Sequence, residues 1–166
     1  MTKAVWSGIA AFGVMVCIAA PAYAQATATG SLSVTATVSA KAKLTLSAAS
    51  ITFADADPDT TPSITAAGVD VDVKARTSAA GSVTLTVLAS DDLASGGNSI
   101  PVGNLTWTSA GSGFQDGTSN KTVAQSVGSW TGSGNPTGTQ TYALVNSWTY
   151  ATGTYTVTLN YTLTAP

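Results

Sequence analysis

The sequence has no histidine and no glutamate, and its only cysteine is Cys17. Without those two residue types the usual general bases and any Ser-His-Asp arrangement are absent. Charge is scarce as well. Lys, Arg and Asp make up 8% of the chain, against about a quarter in an ordinary soluble domain. Six cations against eight Asp leave a net charge of −2. No cationic run is present to neutralise phosphates, so nucleic acid is not an expected partner. The missing Glu, with few Lys and Leu, removes the common helix formers, while abundant Thr favours strands. A Ser/Lys dyad stays open, since Lys41, Lys43, Lys74 and Lys121 coexist with many serines, but no motif selects one. Gly111-Ser112-Gly113 and Gly132-Ser133-Gly134 lack the Lys and the following helix that phosphate loops need. The chain reads as a non-enzyme without a cofactor.

What is present starts with a leader pattern. Thr2-Lys3 is cationic, Ala4 to Ala20 is apolar but short for a membrane span, and Ala22-Tyr23-Ala24 is a small-x-small cleavage site. Residues 1–24 are therefore expected to be a signal peptide, and residues 25–166 a single domain beginning at Gln25. Val16 before Cys17 is too bulky for a lipoprotein site, so Cys17 leaves with the leader. The exported chain then has no disulfide and no thiolate metal site. Loss of Lys3 makes it one unit more negative. The expected location is the periplasm, cell surface or medium, with the membrane met only during export.

Alternation of apolar and polar residues is the dominant pattern after Gln25. It is clearest from Thr154 to Pro166, where Tyr155, Val157, Leu159, Tyr161 and Leu163 alternate with Thr and Asn. A period of two predicts a strand with one buried and one wet face. Leu32, Val34, Ala36 and Val38 form a similar row within Ser31–Val38. Leu44 with Leu46, and Ile51 with Phe53, mark two more strands. Val69, Val71, Val73 and Ala75 alternate with Asp70, Asp72, Lys74 and Arg76, whose charges suit an edge strand. Further strands are expected at Val83–Val87, Leu105–Trp107, Thr122–Val127 and Thr141–Leu144. Asp55–Pro62 and Gly128–Gly138 read as connections.

About eight or nine strands with turns between them, and no helical crossover, predict an all-β fold. Its expected form is an antiparallel two-sheet immunoglobulin-like β-sandwich, with a barrel as the alternative. Gly153-Thr154-Tyr155 resembles the corner at which a Tyr of such folds bonds back across a loop, although Ala151 stands where an acidic residue is usual.

The block Ser31–Val38, Leu44-Thr45-Leu46 and Ile51-Thr52-Phe53-Ala54 resembles the opening of spore coat U and chaperone–usher pilin subunits. Gly153-Thr154-Tyr155-Thr156-Val157-Thr158-Leu159 resembles their terminal strand. The resemblance covers about a third of the exported chain, and the cysteine pair typical of the group is missing. It implies a surface subunit, a pilus-like or coat component, whose partners are copies of itself or other surface subunits. Strand exchange between subunits would use Leu32, Val34, Ala36 and Val38. The missing cysteines and the short Ser39–Lys43 break favour the other arrangement, in which this row pairs within its own sandwich.

Two sites of other kinds remain. Asp55, Asp57 and Asp59 are spaced to offer oxygen ligands to calcium, but Thr60 and Ala66 replace the Gly and Glu of an EF-hand loop. A solvated acidic loop is the plainer reading. Asp91-Asp92 is a turn opener that joins such a site only if the fold brings the loops together. Trp107, Trp130, Trp148 and Tyr150 could present aromatic platforms; core is the favoured reading for Trp107 and the plainer alternative for Trp148. Trp130, in a polar Ser/Gly surround, is the candidate for an exposed platform, which makes carbohydrate a possible partner and an extracellular ligand-binding module the alternative function.

Overall fold

The computed structural model describes residues 25–166, so the leader expected at 1–24 lies outside the described residues. Residues 37–166 form one compact unit. The compact unit is all-β, with antiparallel sheets in a sandwich-like arrangement and no α-helix. One sheet contains β1 (Lys41–Leu46), β3 (Val69–Arg76), β10 (Thr137–Val145), β7 (Leu105–Ala110) and β8 (Gly117–Thr118), in that order. The short β2 (Ser63–Thr65) pairs with the far end of β10. The other sheet is β11 (Leu159–Thr164), β4 (Ser82–Ala89) and β9 (Gln125–Thr131). A separate hairpin joins β5 (Leu93–Ser95) to β6 (Asn98–Ile100).

Alternation explains which face each strand buries. Val69, Val71 and Val73 of β3 and Val83, Leu85, Val87 and Ala89 of β4 point inward and are buried. Trp107 and Tyr142 join them from β7 and β10. Each fully buried aliphatic side chain contributes about 1.5–3 kcal/mol, so these rows carry the fold. Trp107 is core, as its strand position implied, and its Nε1 donates to the Gln115 carbonyl at 2.9 Å.

Several elements differ from expectation. Among the described residues there are eleven strands rather than eight or nine. The β5–β6 hairpin was not visible, because its strands are too short for a period; its turn uses Gly96 at φ 58°. Ile51 and Phe53 alternate in burial but make no ladder. β3 is not an edge: β1 covers one side and β10 the other. Its charges lie on the outer face of a sheet interior. The stretch 128–138 is largely strand, since β9 runs to Thr131 and β10 begins at Thr137.

Candidate functional site

The final strand has the alternation expected of it, but its apolar row is only half-buried. Tyr155, Val157, Leu159, Tyr161 and Leu163 all keep part of their surface in solvent, unlike the inner rows of β3 and β4. The cause is position. β11 pairs only with β4 and is the edge of its sheet; β1 pairs only with β3 and is the edge of the other. The inner Leu44 and Leu46 of β1 are half-buried for the same reason. On the opposite side the sandwich is closed, where Gln115 and Ser129 N–H groups donate to the carbonyls of Val127 and Gly113.

Where β1 ends at Leu46 and β11 begins at Leu159 lies a groove of about 330 Å³. Leu46, Ile51 and Phe53 line one wall; Val157, Leu159 and Tyr161 line the other. The floor carries a polar spot. Tyr161 donates its hydroxyl to Oε1 of the buried Gln140 and also meets the Tyr142 hydroxyl. Burial raises the pKa of both tyrosines, so both phenols stay neutral and able to donate. Gln140 Nε2 has no partner among the described residues.

Leu32, Val34, Ala36 and Val38, the row expected to pair within its own sandwich, form no strand. Leu32 is 88% exposed, Val34 81% and Val38 70%. Ser39 and Ala40 help to explain this. A two-residue reversal onto β1 needs residues that accept positive φ, usually Gly, Asn or Asp. Ser39-Ala40 supplies none, and the Ser39 carbonyl is held by Arg76 Nε at 2.8 Å.

The other candidates fall into place locally. Trp130 is not in a flexible loop but in β9, half-buried. It meets Phe114 edge-on with ring centroids 4.9 Å apart, and its Nε1 donates to the Ser112 carbonyl. Among the described residues the exposed tryptophan is Trp148, at 69%, so of its two readings the core one fails. It follows β10 in a loop, and its Nε1 donates to Asp59 Oδ1 at 3.0 Å. Asn146 Nδ2 ties that region down by donating to the carbonyls of Ala56 and Thr61. Asp57 caps its own turn by accepting from the Asp59 N–H. No group of three or more acidic side chains placed to hold a metal occurs among the described residues, so Asp91-Asp92 does not join Asp55, Asp57 and Asp59. Asp91 and Asp92 instead share the Lys121 ammonium at 2.9 and 2.7 Å. Hydrogen bonding to Lys121 lowers the pKa of both carboxyls, and the same bonds raise that of Lys121.

No protein-family model matches the chain, and neither does any curated protein.

Proposed function

We propose that this chain is a secreted, non-enzymatic structural subunit of a cell-surface assembly, joined to its neighbours by strand exchange. The single observation that carries this reading is the pairing of a surplus with a deficit. An alternating apolar row at 32–38 has no ladder, and a groove with two unpaired strand edges has a half-covered apolar wall. An eight-residue extended segment spans about 26 Å, enough to run alongside β11. Inserted there, residues 31–38 of one copy would gain main-chain hydrogen bonds along an open edge. They would also bury their own apolar row together with that of β11. The lack of turn residues at Ser39-Ala40 favours donation to another copy over folding back. The resemblance to spore coat U and pilin subunits agrees with this. So does the Tyr155 hydroxyl donating to the Ala151 carbonyl at 2.8 Å, which is the bond of an immunoglobulin-like tyrosine corner.

The test is a truncation lacking residues 25–39, compared with the full chain. The truncated chain should stay unassembled at concentrations where the full chain forms polymers. A synthetic peptide of residues 29–39 should bind it and raise its melting temperature. A full chain that stays monomeric, together with a peptide that shifts nothing, would refute the reading.

A second reading, carbohydrate binding, is favoured by Trp148 alone. Its ring is exposed while Asp59 fixes its edge, an arrangement suited to stacking on a sugar face. Quenching of tryptophan fluorescence by an oligosaccharide in the parent chain, and not in Trp148→Ala, would support it.

A further inference from the structure

Four of the chain's six cations, Lys41, Lys43, Lys74 and Arg76, stand on the neighbouring strands β1 and β3. Register sets Lys41 opposite Arg76 and Lys43 opposite Lys74. All four point away from the core and are exposed. Side chains paired in this way start about 5 Å apart, and like charges so placed destabilise a sheet. Among the described residues the salt bridges join Lys121 to Asp91 and Asp92 only, and the single acid beside the four cations on that face is Asp72, two residues from Lys74, so the patch keeps an excess of positive charge. The sequence shows no cationic run, because the two halves of the patch are distant in sequence and only register unites them. An unfavourable arrangement of this kind calls for an anionic partner outside the subunit.

The chain carries a counterpart at the other end of the same sheet. Asp72 pairs with Thr137 at the start of β10, and Arg76 lies further out along β3. β10 then runs to Val145, and Asn146 clamps the 56–61 loop. At about 3.3 Å per residue the two ends are roughly 30–40 Å apart. The acidic loop is held in shape, since the Asp57 carbonyl accepts from the N–H groups of Thr60 and Thr61. It also continues directly from the Ile51–Phe53 wall of the groove.

We propose that the Lys41, Lys43, Lys74 and Arg76 patch of one copy docks against the Asp55, Asp57 and Asp59 loop of a second copy. The inference rests on the strand-exchange reading. The patch surrounds the root of the donated segment, because Arg76 Nε holds the Ser39 carbonyl. When residues 31–38 enter the next copy's groove, the patch arrives with their Val38 end at the mouth beside the acidic loop. The contact orients the incoming segment and speeds its capture, as complementary charge does at other interfaces.

A charge exchange tests this. One variant carries Lys41→Glu, Lys43→Glu and Lys74→Glu, leaving Arg76 to hold Ser39; the other carries Asp55→Lys and Asp59→Lys. Retained melting temperature and β-sheet circular dichroism verify that each is folded. Each variant alone should assemble on the order of tenfold or more slowly than the parent by light scattering. An equimolar mixture should recover, since each reversed surface then meets its complement. Raising the salt from about 0.15 M to about 1 M, which shortens the screening length from about 8 to about 3 Å, should slow the parent and speed each variant alone, whose opposed like charges it screens. Binding of the 29–39 peptide reports strand capture separately. If that peptide fails to bind the truncated parent chain, the strand-exchange reading falls, and this one with it. If it binds while the variants assemble like the parent, or the mixture fails to recover, only the charge contact is overturned. Retention of the parent on a polyanion column without recovery in the mixture would also overturn it, in favour of an acidic polymer as the partner.

Discussion

Tyr161 donates its hydroxyl to Oε1 of Gln140, joining the edge strand β11 to the interior of the opposite sheet. Gln140 is fully buried and has no second partner among the described residues. Tyr161→Phe should therefore destabilise the chain by about 1–3 kcal/mol, the cost of leaving a buried amide oxygen unpaired. Urea titration measures it, and an unchanged midpoint would contradict the assignment.

The same tyrosines set an alkaline limit. Burial favours the neutral phenol, so Tyr142 and Tyr161 have raised pKa values in the folded chain. The folded state thus holds protons that the unfolded state releases above about pH 10. The stabilisation is complete below that pH and is lost as the pH rises through it. Melting temperature should fall above about pH 10, and part of the tyrosine absorbance change should appear only with unfolding. In Tyr161→Phe the decline should be shallower.

Leu159 and Thr158 are neighbours on opposite faces of the last strand. Leu159 lines the groove and is half-buried, while Thr158 is exposed at its border. Leu159→Asp should cost about 1–3 kcal/mol, less than at a sealed core position, because the groove is open. It should also abolish binding of the 29–39 peptide. Thr158→Asp should cost about 1 kcal/mol or less and weaken peptide binding far less than Leu159→Asp. Equal effects on peptide binding would refute the assignment of the groove wall.

Gly117 lies opposite Trp107 in the β7–β8 ladder. A Cβ at Gly117 would collide with the indole ring of Trp107, which is itself buried. Gly117→Ala should cost about 1–3 kcal/mol through overpacking. The near-ultraviolet circular dichroism of Trp107 should change with it. Retention of both the spectrum and the stability would show that the strand slides freely.

Lys121 bridges Asp91 and Asp92 at the surface. Both carboxyls have lowered pKa values, chiefly through hydrogen bonds from Lys121. Their stabilising effect is present above the ordinary carboxylate range and is lost as the pH falls through the lowered values. In Lys121→Met the two carboxyls, followed by NMR, should titrate at higher pH than in the parent, Asp91 more nearly at the ordinary value. Asp92 keeps its bond from the Val102 N–H at 2.9 Å.

Much of the strand architecture was legible in the chain itself. Val69–Arg76, Val83–Val87 and Leu105–Trp107 fold as strands because their alternation places every apolar residue on one face. The open groove was not legible. Tyr155, Val157 and Leu159 alternate like any core strand, and nothing local says that their cover is incomplete.

The all-β class and the inward face of each long strand were determined by the sequence alone, through residue type and period, which are local properties. Only the tertiary structure decided which strands are edges, that β3 is interior, and that the row at Leu32–Val38 goes unpaired. Tertiary register likewise brought Lys43 opposite Lys74, held Trp148 out in solvent and packed Trp130 against Phe114. These features depend on which segments become neighbours. Pairing is settled by competition among many similar Thr- and Val-rich strands for the same core, and no single stretch of this chain encodes the outcome.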